Sequence, residues 1–349
     1  MDTKLNTRAP LRAPFNVCLW LTDYCNLACK YCYAMPFSGK RMETARVLRL
    51  IDECLELGVF DMTLAGGEPL LHPDVLDIIE RAVSGGMRVG LLTNGVTLDA
   101  AMCDELERRT KRRNFIVQIS LDSANPSENE QTRGLTETVV TNIRSLAGRS
   151  LDRQIACVIS KTNYKTAHTI IDAFYPAVKR FHFLNIQRTA QALKHPELLL
   201  DESESFEFWM RLNEHRKKFP TDLFLPSLRV QMRAMGTAVV EPEFSVHQDA
   251  SFDCSSCSAG LTHINVDADF NMLGCDIAKD FTLMGNLKSR SFVDVWNSKL
   301  AATVRNSPFP ACYRITDPDG QSLQQDLKPE YAHAQPELIT IRKPLSKHH

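Results

Sequence analysis

The 349-residue sequence has almost no excess of either charge: 41 Lys and Arg stand against 42 Asp and Glu, a formal net charge of −1. A chain so balanced exerts no electrostatic pull on nucleic acid or an anionic membrane surface, and neither is expected as a partner. Long apolar runs are missing too. Stretches such as Val89-Gly90-Leu91-Leu92 end within a few residues, far short of the roughly 20 that cross a bilayer. The opening MDTKLNTRAPLRAP lacks the apolar core of a secretory signal, so a reducing, cytoplasmic location is expected. There, eleven cysteines are not expected to form a disulfide framework, and clustering among them points to metal ligation or catalysis. No internal repeat is visible beyond an alternation of apolar and amphipathic segments.

That alternation carries the fold. Strands are expected at 16–22, 60–65, 87–93, 115–121, 154–160 and 180–186, with the apolar character of strands buried on both faces. Helical patterns lie between them at 43–58, 73–86, 98–109, 136–148 and 164–178. The second of these opens on Pro73 and closes on Gly85 and Gly86, the usual helix punctuation. Six such repeats argue for an α/β fold with a parallel sheet. An incompletely closed barrel and an open doubly wound sheet both fit the count. In either, ligands gather at the C-terminal strand ends. A cysteine loop follows the first strand there, Gly66-Gly67-Glu68-Pro69 the second and Thr93-Asn94-Gly95 the third, while Leu121-Asp122-Ser123 closes the fourth.

The cysteine loop places Cys25, Cys29 and Cys32 three and two residues apart, and it lacks a fourth donor. No further Cys follows at zinc spacing, and the nearest downstream His is His72. Structural zinc takes four ligands, and a [4Fe–4S] cube ordinarily takes four thiolates. Three thiolates leave one iron open to a small molecule. A zinc loop completed by a distant residue is the competing reading.

Cys25-x3-Cys29-x2-Cys32, with Tyr31 before the last cysteine, resembles the signature of the radical S-adenosylmethionine (radical SAM) superfamily, and further matches run over residues 15–190. The resemblance implies a partial (β/α)6 TIM-like barrel. It also implies a [4Fe–4S] cluster whose open iron binds the amino and carboxylate groups of S-adenosylmethionine (SAM). One electron, from a donor such as flavodoxin or ferredoxin, then splits the sulfonium, and the resulting 5′-deoxyadenosyl radical abstracts a hydrogen atom from a C–H bond. AGGEP (65–69) resembles the family's GGE motif, in which the backbone of Gly66 and Gly67 and the carboxylate of Glu68 hold the methionine ammonium. QISLDSANPSENEQTRG (118–134) resembles the fourth-strand region. There Ser120 and Asp122 would approach SAM and the planar fork of Arg133 would face its carboxylate. Tyr31 and Asn94 complete the expected SAM contacts.

A second group comprises Cys254, Cys257, Cys275 and, later, Cys312. THINVDADFNML (262–273) alternates as a hairpin should, and SFVDVWNSKLAATV (291–304) reads as an amphipathic helix with a serine cap. This region resembles the SPASM and twitch extensions of radical SAM enzymes, with two departures. Later CxxC pairs are absent, and Phe270 stands where that family usually has glycine. One auxiliary [4Fe–4S] cluster in the shorter twitch manner is therefore expected, with all four cysteines as ligand candidates. A four-cysteine zinc site is the alternative. Cys18, Cys54, Cys103 and Cys157 are expected in the core. The expected organisation is an N-terminal arm at 1–14, the barrel at 15–220, a linker and small α+β extension at 221–315, and a tail of little order at 316–349.

The resemblance implies an enzyme that modifies a peptide or peptide-like natural product by cross-linking, epimerisation or oxidation. The barrel pattern begins almost at once in this sequence, so an N-terminal leader-binding domain is not expected. That favours the alternative, a dehydrogenase or epimerase acting on an aminocyclitol, a sugar or a similar small molecule. A non-catalytic zinc or iron–sulfur binding protein is the reading of another class.

Overall fold

The computed structural model describes residues 11–110, 114–187, 189–220, 260–276, 279 and 282–305. Six parallel strands come first: β1 (Asn16–Thr22), β2 (Asp61–Gly66), β3 (Arg88–Thr93), β4 (Phe115–Ser120), β5 (Asp152–Ile159) and β6 (Arg180–Asn185). Between them run α1 (Thr44–Leu57), α2 (Val75–Ser84), α3 (Ala100–Thr110), the short α4 (Pro126–Asn129), α5 (Thr136–Ser145) and α6 (Ile170–Phe174). After β6 comes α7 (Glu202–Arg216), opened by a capping box in which Asp201 and Glu204 exchange hydrogen bonds.

The strand order is β6-β5-β4-β3-β2-β1. A doubly wound sheet reverses its order at a switch point; this one never does. The order is that of a partial TIM-like barrel, and it decides between the two architectures that the repeat count allows.

The strands were expected to be buried on both faces, and only β1 is close to that. β4 alternates buried and half-buried residues along its length. Its outward side chains Phe115, Val117 and Ile119 join those of the neighbouring strands and helices α1, α2 and α5 in the main core. Its inward side chains Ile116, Gln118 and Ser120 line the opposite, concave face of the sheet. All four cysteines expected in the core are buried there: Cys54, Cys103 and Cys157 in the main cluster, and Cys18 in a smaller one with Trp20, Ala34 and Ala65.

Two helix expectations need correction. Residues 164–178 form a 3-10 turn at Ala167–Thr169 and then the five-residue α6. Pro176 cannot be accommodated in a helix interior, and it disfavours helix at Tyr175 before it. Residues 291–304 form two helices, α8 (Phe292–Trp296) and α9 (Lys299–Arg305). Ser291 caps the first through Asp294 N, and the Ser298 hydroxyl accepts from Ala301 N at the start of the second.

The extension continues the sheet. β7 (His263–Val266) pairs in parallel with β1, Cys18 opposite Asn265, and then β8 (Asn271–Leu273) and β9 (Leu283–Asn286) follow antiparallel. The predicted hairpin is thus present, stitched directly onto the first barrel strand. Trp296 in α8 is fully buried and donates its indole N–H to Leu11 O. The linker at 221–259 and the tail at 316–349 lie outside the described residues.

Candidate cofactor site

β1 ends in an irregularity. Trp20 pairs with Ala65, but Thr22 pairs with Gly66, so one strand gains a residue on the other just before the cysteine loop. The end of β2 then zips onto that loop. Gly67 N donates to Thr22 O at 2.7 Å and Glu68 N to Tyr24 O at 2.8 Å. A β-carbon on Gly66 would collide with Thr22 O, and one on Gly67 with Tyr24 O. Gly66 also adopts φ +125°, a conformation side chains avoid. The glycine pair therefore permits a close approach, but of the cysteine loop's own backbone.

Glu68 is wholly buried. Its Oε1 accepts from Leu70 N at 3.0 Å and Thr93 Oγ1 at 2.8 Å, and its Oε2 accepts from Asn94 N at 2.7 Å. A carboxylate has about four acceptor sites, so one remains. Burial outweighs these donors and lifts the carboxyl to about 7. Asn94 closes the gap to the loop, donating to Asn26 Oδ1 at 2.7 Å and toward Cys25 Sγ at 3.7 Å.

At the end of β4, Asp122 is a buried hub. Its Oδ1 accepts from Arg133 Nε at 2.9 Å and Val158 N at 3.0 Å; its Oδ2 accepts from Tyr31 Oη and from Thr132 Oγ1 at 3.0 Å. All of its acceptor sites are used within the chain. The segment before α5 also reaches the cysteine loop directly, through Lys30 N to Thr132 O at 3.2 Å. Arg133 lies with its guanidinium carbon 5.4 Å from the Tyr31 ring centre and Nη1 3.7 Å from Cys29 Sγ. Ser120 is half-buried on the concave face, opposite Ala156. Thr93, Thr132, Asn26 and Val158 are members of the site that sequence reading missed. Three of these act through ordinary polar side chains inside or beside recognised motifs, and Val158 through its backbone alone.

Cys29 is buried, and Cys25 and Cys32 are half-buried. Cys25 Sγ accepts from Leu27 N at 3.4 Å as well as facing Asn94. Burial raises all three thiols, Cys29 to about 11, and the Arg133 charge opposes the rise at Cys29 and Cys32. Unliganded, the loop favours neutral thiols; a polynuclear cation that takes three thiolates supplies the compensating charge. Among the described residues no three His, Cys, Asp or Glu side chains converge on a position for one ion. His72, the nearest downstream histidine, is committed elsewhere: Nε2 meets Met42 O at 2.9 Å and Nδ1 accepts from Asp74 N at 3.2 Å. The all-sulfur donor set, with N–H donors at two sulfurs and a cation beside one, suits an iron–sulfur cube.

Of the second group only Cys275 lies among the described residues; Cys254, Cys257 and Cys312 lie outside them. Cys275 follows β8, where its N donates to Thr282 Oγ1 at 3.1 Å, and the Thr282 hydroxyl donates back to Cys275 O at 2.9 Å. The carboxylate of the next residue, Asp276, acts electrostatically on Cys18, Tyr33 and His263, so this turn borders the inner face of β1. No helix among the described residues is long and apolar enough to cross a membrane.

Two family models match the chain: the radical SAM superfamily over residues 21–173 and an iron–sulfur cluster-binding domain, SPASM, over residues 257–314. A PqqA peptide cyclase of Granulibacter bethesdensis is 24% identical over 301 residues, covering 82% of this chain and 75% of its own. An AdoMet-dependent heme synthase of Methanosarcina barkeri is 31% identical over 161 residues, covering 44% and 45%. Among solved structures, Streptococcus suis SuiB bound to S-adenosylmethionine superposes with a TM-score of 0.68 at 16% identity, covering 84% of this chain and 68% of that one. SuiB is also solved bound to the precursor peptide SuiA. At such identity the structural likeness concerns the fold.

Proposed function

From the premise that the chain is a member of the radical SAM superfamily with a SPASM iron–sulfur cluster-binding domain, we propose that it is a peptide-modifying radical SAM enzyme, acting by cross-linking, epimerisation or oxidation. The observation that carries the peptide reading is coverage. The likeness to a peptide cyclase extends over 82% of the chain, whereas that to a heme synthase covers 44%. A small-molecule substrate is the less favoured reading for that reason.

In this reading Cys25, Cys29 and Cys32 hold a [4Fe–4S] cluster and SAM binds at its open corner. When bound, the reduced cluster supplies the electron that splits SAM and yields the hydrogen-abstracting 5′-deoxyadenosyl group. The chain's own residues bind and orient. Gly66 and Gly67 let the second strand end clamp the cysteine loop from Thr22 to Tyr24. Glu68 keeps one acceptor site for the methionine ammonium, and a carboxyl poised near neutrality is readily ionised by such a cation. Asn94 fixes Cys25 and Asn26. Asp122 acts at one remove, holding Tyr31 and Arg133, while Arg133 keeps guanidinium nitrogens for the SAM carboxylate. Ser120 presents its hydroxyl to the concave face. That face, lined by Leu92, Gln118, Val158 and His182, receives the substrate. Cys275, with Cys254, Cys257 and Cys312, holds one auxiliary cluster, and a flavodoxin or ferredoxin supplies electrons.

The test is anaerobic reconstitution followed by reduction in the presence of SAM. Release of 5′-deoxyadenosine is expected from the full chain and from Cys275→Ala, and none from Cys29→Ala. Cleavage that survives loss of Cys29 would sink the assignment.

A further inference from the structure

Arg133 makes more contacts than one ion pair requires. Its Nε is spent on Asp122 Oδ1 at 2.9 Å, its plane lies over Tyr31, and Nη1 points at Cys29 Sγ, 3.7 Å away. The Arg133 and Asp122 side chains are 12% and 2% exposed. The three sulfurs are therefore treated unequally. Cys25 faces two neutral donors, Leu27 N–H and the Asn94 amide, whereas Cys29 faces a full positive charge. Building on the reading that these cysteines hold a cluster, we propose that Arg133 is a positioning residue whose charge, aimed at the Cys29 sulfur by Asp122, makes that cluster easier to reduce.

The physical argument is electrostatic. Reduction adds an electron that is shared between iron and sulfur, and the potential of an iron–sulfur cluster follows its net charge and the hydrogen bonds to its sulfurs. A cation 3.7 Å from a ligating sulfur stabilises the reduced form, more strongly inside a protein than in water. Asp122 carries the opposite charge, yet its oxygens are taken up by four donors while Arg133 Nη1 reaches the Cys29 sulfur. The remaining donors to Asp122, from Tyr31, Thr132 and Val158, hold its carboxylate in place and with it the Arg133 fork. A lysine retains the charge without the fork, so it cannot span Asp122 and Cys29 together.

The experiment uses the full chain, anaerobically reconstituted and free of SAM, in a potentiometric titration followed by electron paramagnetic resonance. The relevant cluster is the one whose signal changes when SAM is added afterwards. Arg133→Gln is expected to move its potential to more negative values and Arg133→Lys to move it less; an unchanged potential in Arg133→Gln overturns the proposal. A second measurement needs no substitution. In wild-type protein grown with guanidinium-15N arginine, pulsed resonance of the reduced cluster is expected to show a nitrogen-15 coupling, and its absence overturns the proposal equally. A wild-type chain that takes up no cluster overturns the functional reading itself. A loaded chain that shows neither effect overturns only the role of Arg133.

Discussion

The α-carbon of Gly67 faces the carbonyl oxygen of Tyr24 across a gap that no β-carbon can enter. The same two segments are joined one residue further on, where Glu68 N donates to Tyr24 O at 2.8 Å. Gly67→Ala is therefore expected to push the second strand end off the cysteine loop. Overpacking of this kind costs about 1–3 kcal/mol or more, and the displacement falls where Cys25 must be placed. The expected result is a chain with native far-UV circular dichroism that loses most of its primary-cluster iron on reconstitution. Full iron content in Gly67→Ala would show that the clamp is dispensable.

Glu68 gives the chain a pH dependence of definite sign. Its carboxyl is raised from 4.5 to about 7 in the folded state, by burial above all. Between these values the folded chain keeps a proton that the unfolded chain has released, so stability falls as pH rises. At about 1.4 kcal/mol per unit, roughly 3 kcal/mol is present below pH 4.5 and lost by the time pH has passed about 7. Glu68→Gln has no proton to lose. Without SAM, the wild type measured by urea unfolding is expected to lose stability relative to Glu68→Gln between pH 5 and pH 8. Parallel curves for the two proteins would refute the burial argument.

The Asp122 hub predicts two very different costs within one network. Tyr31→Phe removes a single donor to a buried carboxylate that keeps three others, at about 1.5–3 kcal/mol. Asp122→Ala leaves the Arg133 guanidinium buried without its counter-charge, a change of about 3–5 kcal/mol. Urea midpoints should therefore rank wild type above Tyr31→Phe and Tyr31→Phe well above Asp122→Ala. Equal losses would mean that the hydroxyl, not the ion pair, carries the hub.

How far the sequence reveals this arrangement depends on the range of the interaction. β1 lies at 16–22 as its apolar run predicts, and the other five barrel strands fall within two residues at each end, because local patterning dictates them. The cysteine loop, the glycine pair and Glu68 were legible because each sits at a strand end with a specific spacing. The function of Asp122 was not. Its four donors come from positions 31, 132, 133 and 158, and no local pattern announces such a convergence. The joining of β7 to β1, across 247 residues from Asn16 to His263, was hidden for the same reason. The helix break at Asn297-Ser298 turned on one serine hydroxyl, which favours a new cap over a continuing helix.

Phe270 shows how a departure from a family pattern can be sustained. It occupies the turn between β7 and β8 at φ +64°, the left-handed region in which glycine is unstrained. A non-glycine residue there costs about 1–2 kcal/mol. The side chain offsets that cost by burial: Phe270 is 3% exposed and belongs to the main core, and removing such a ring costs about 3–5 kcal/mol. Asp267 holds the turn in place, its Oδ1 accepting from Asp269 N and Asn271 N at 2.9 Å each. Because the second figure exceeds the first, Phe270→Gly is expected to destabilise the chain by about 1–4 kcal/mol even though it relieves the backbone. Phe270→Ala should be worse still, since it keeps the strain and loses the ring. The check is chemical unfolding of both variants, with wild type above Phe270→Gly above Phe270→Ala. If glycine stabilised the chain, backbone strain and not aromatic burial would govern this turn.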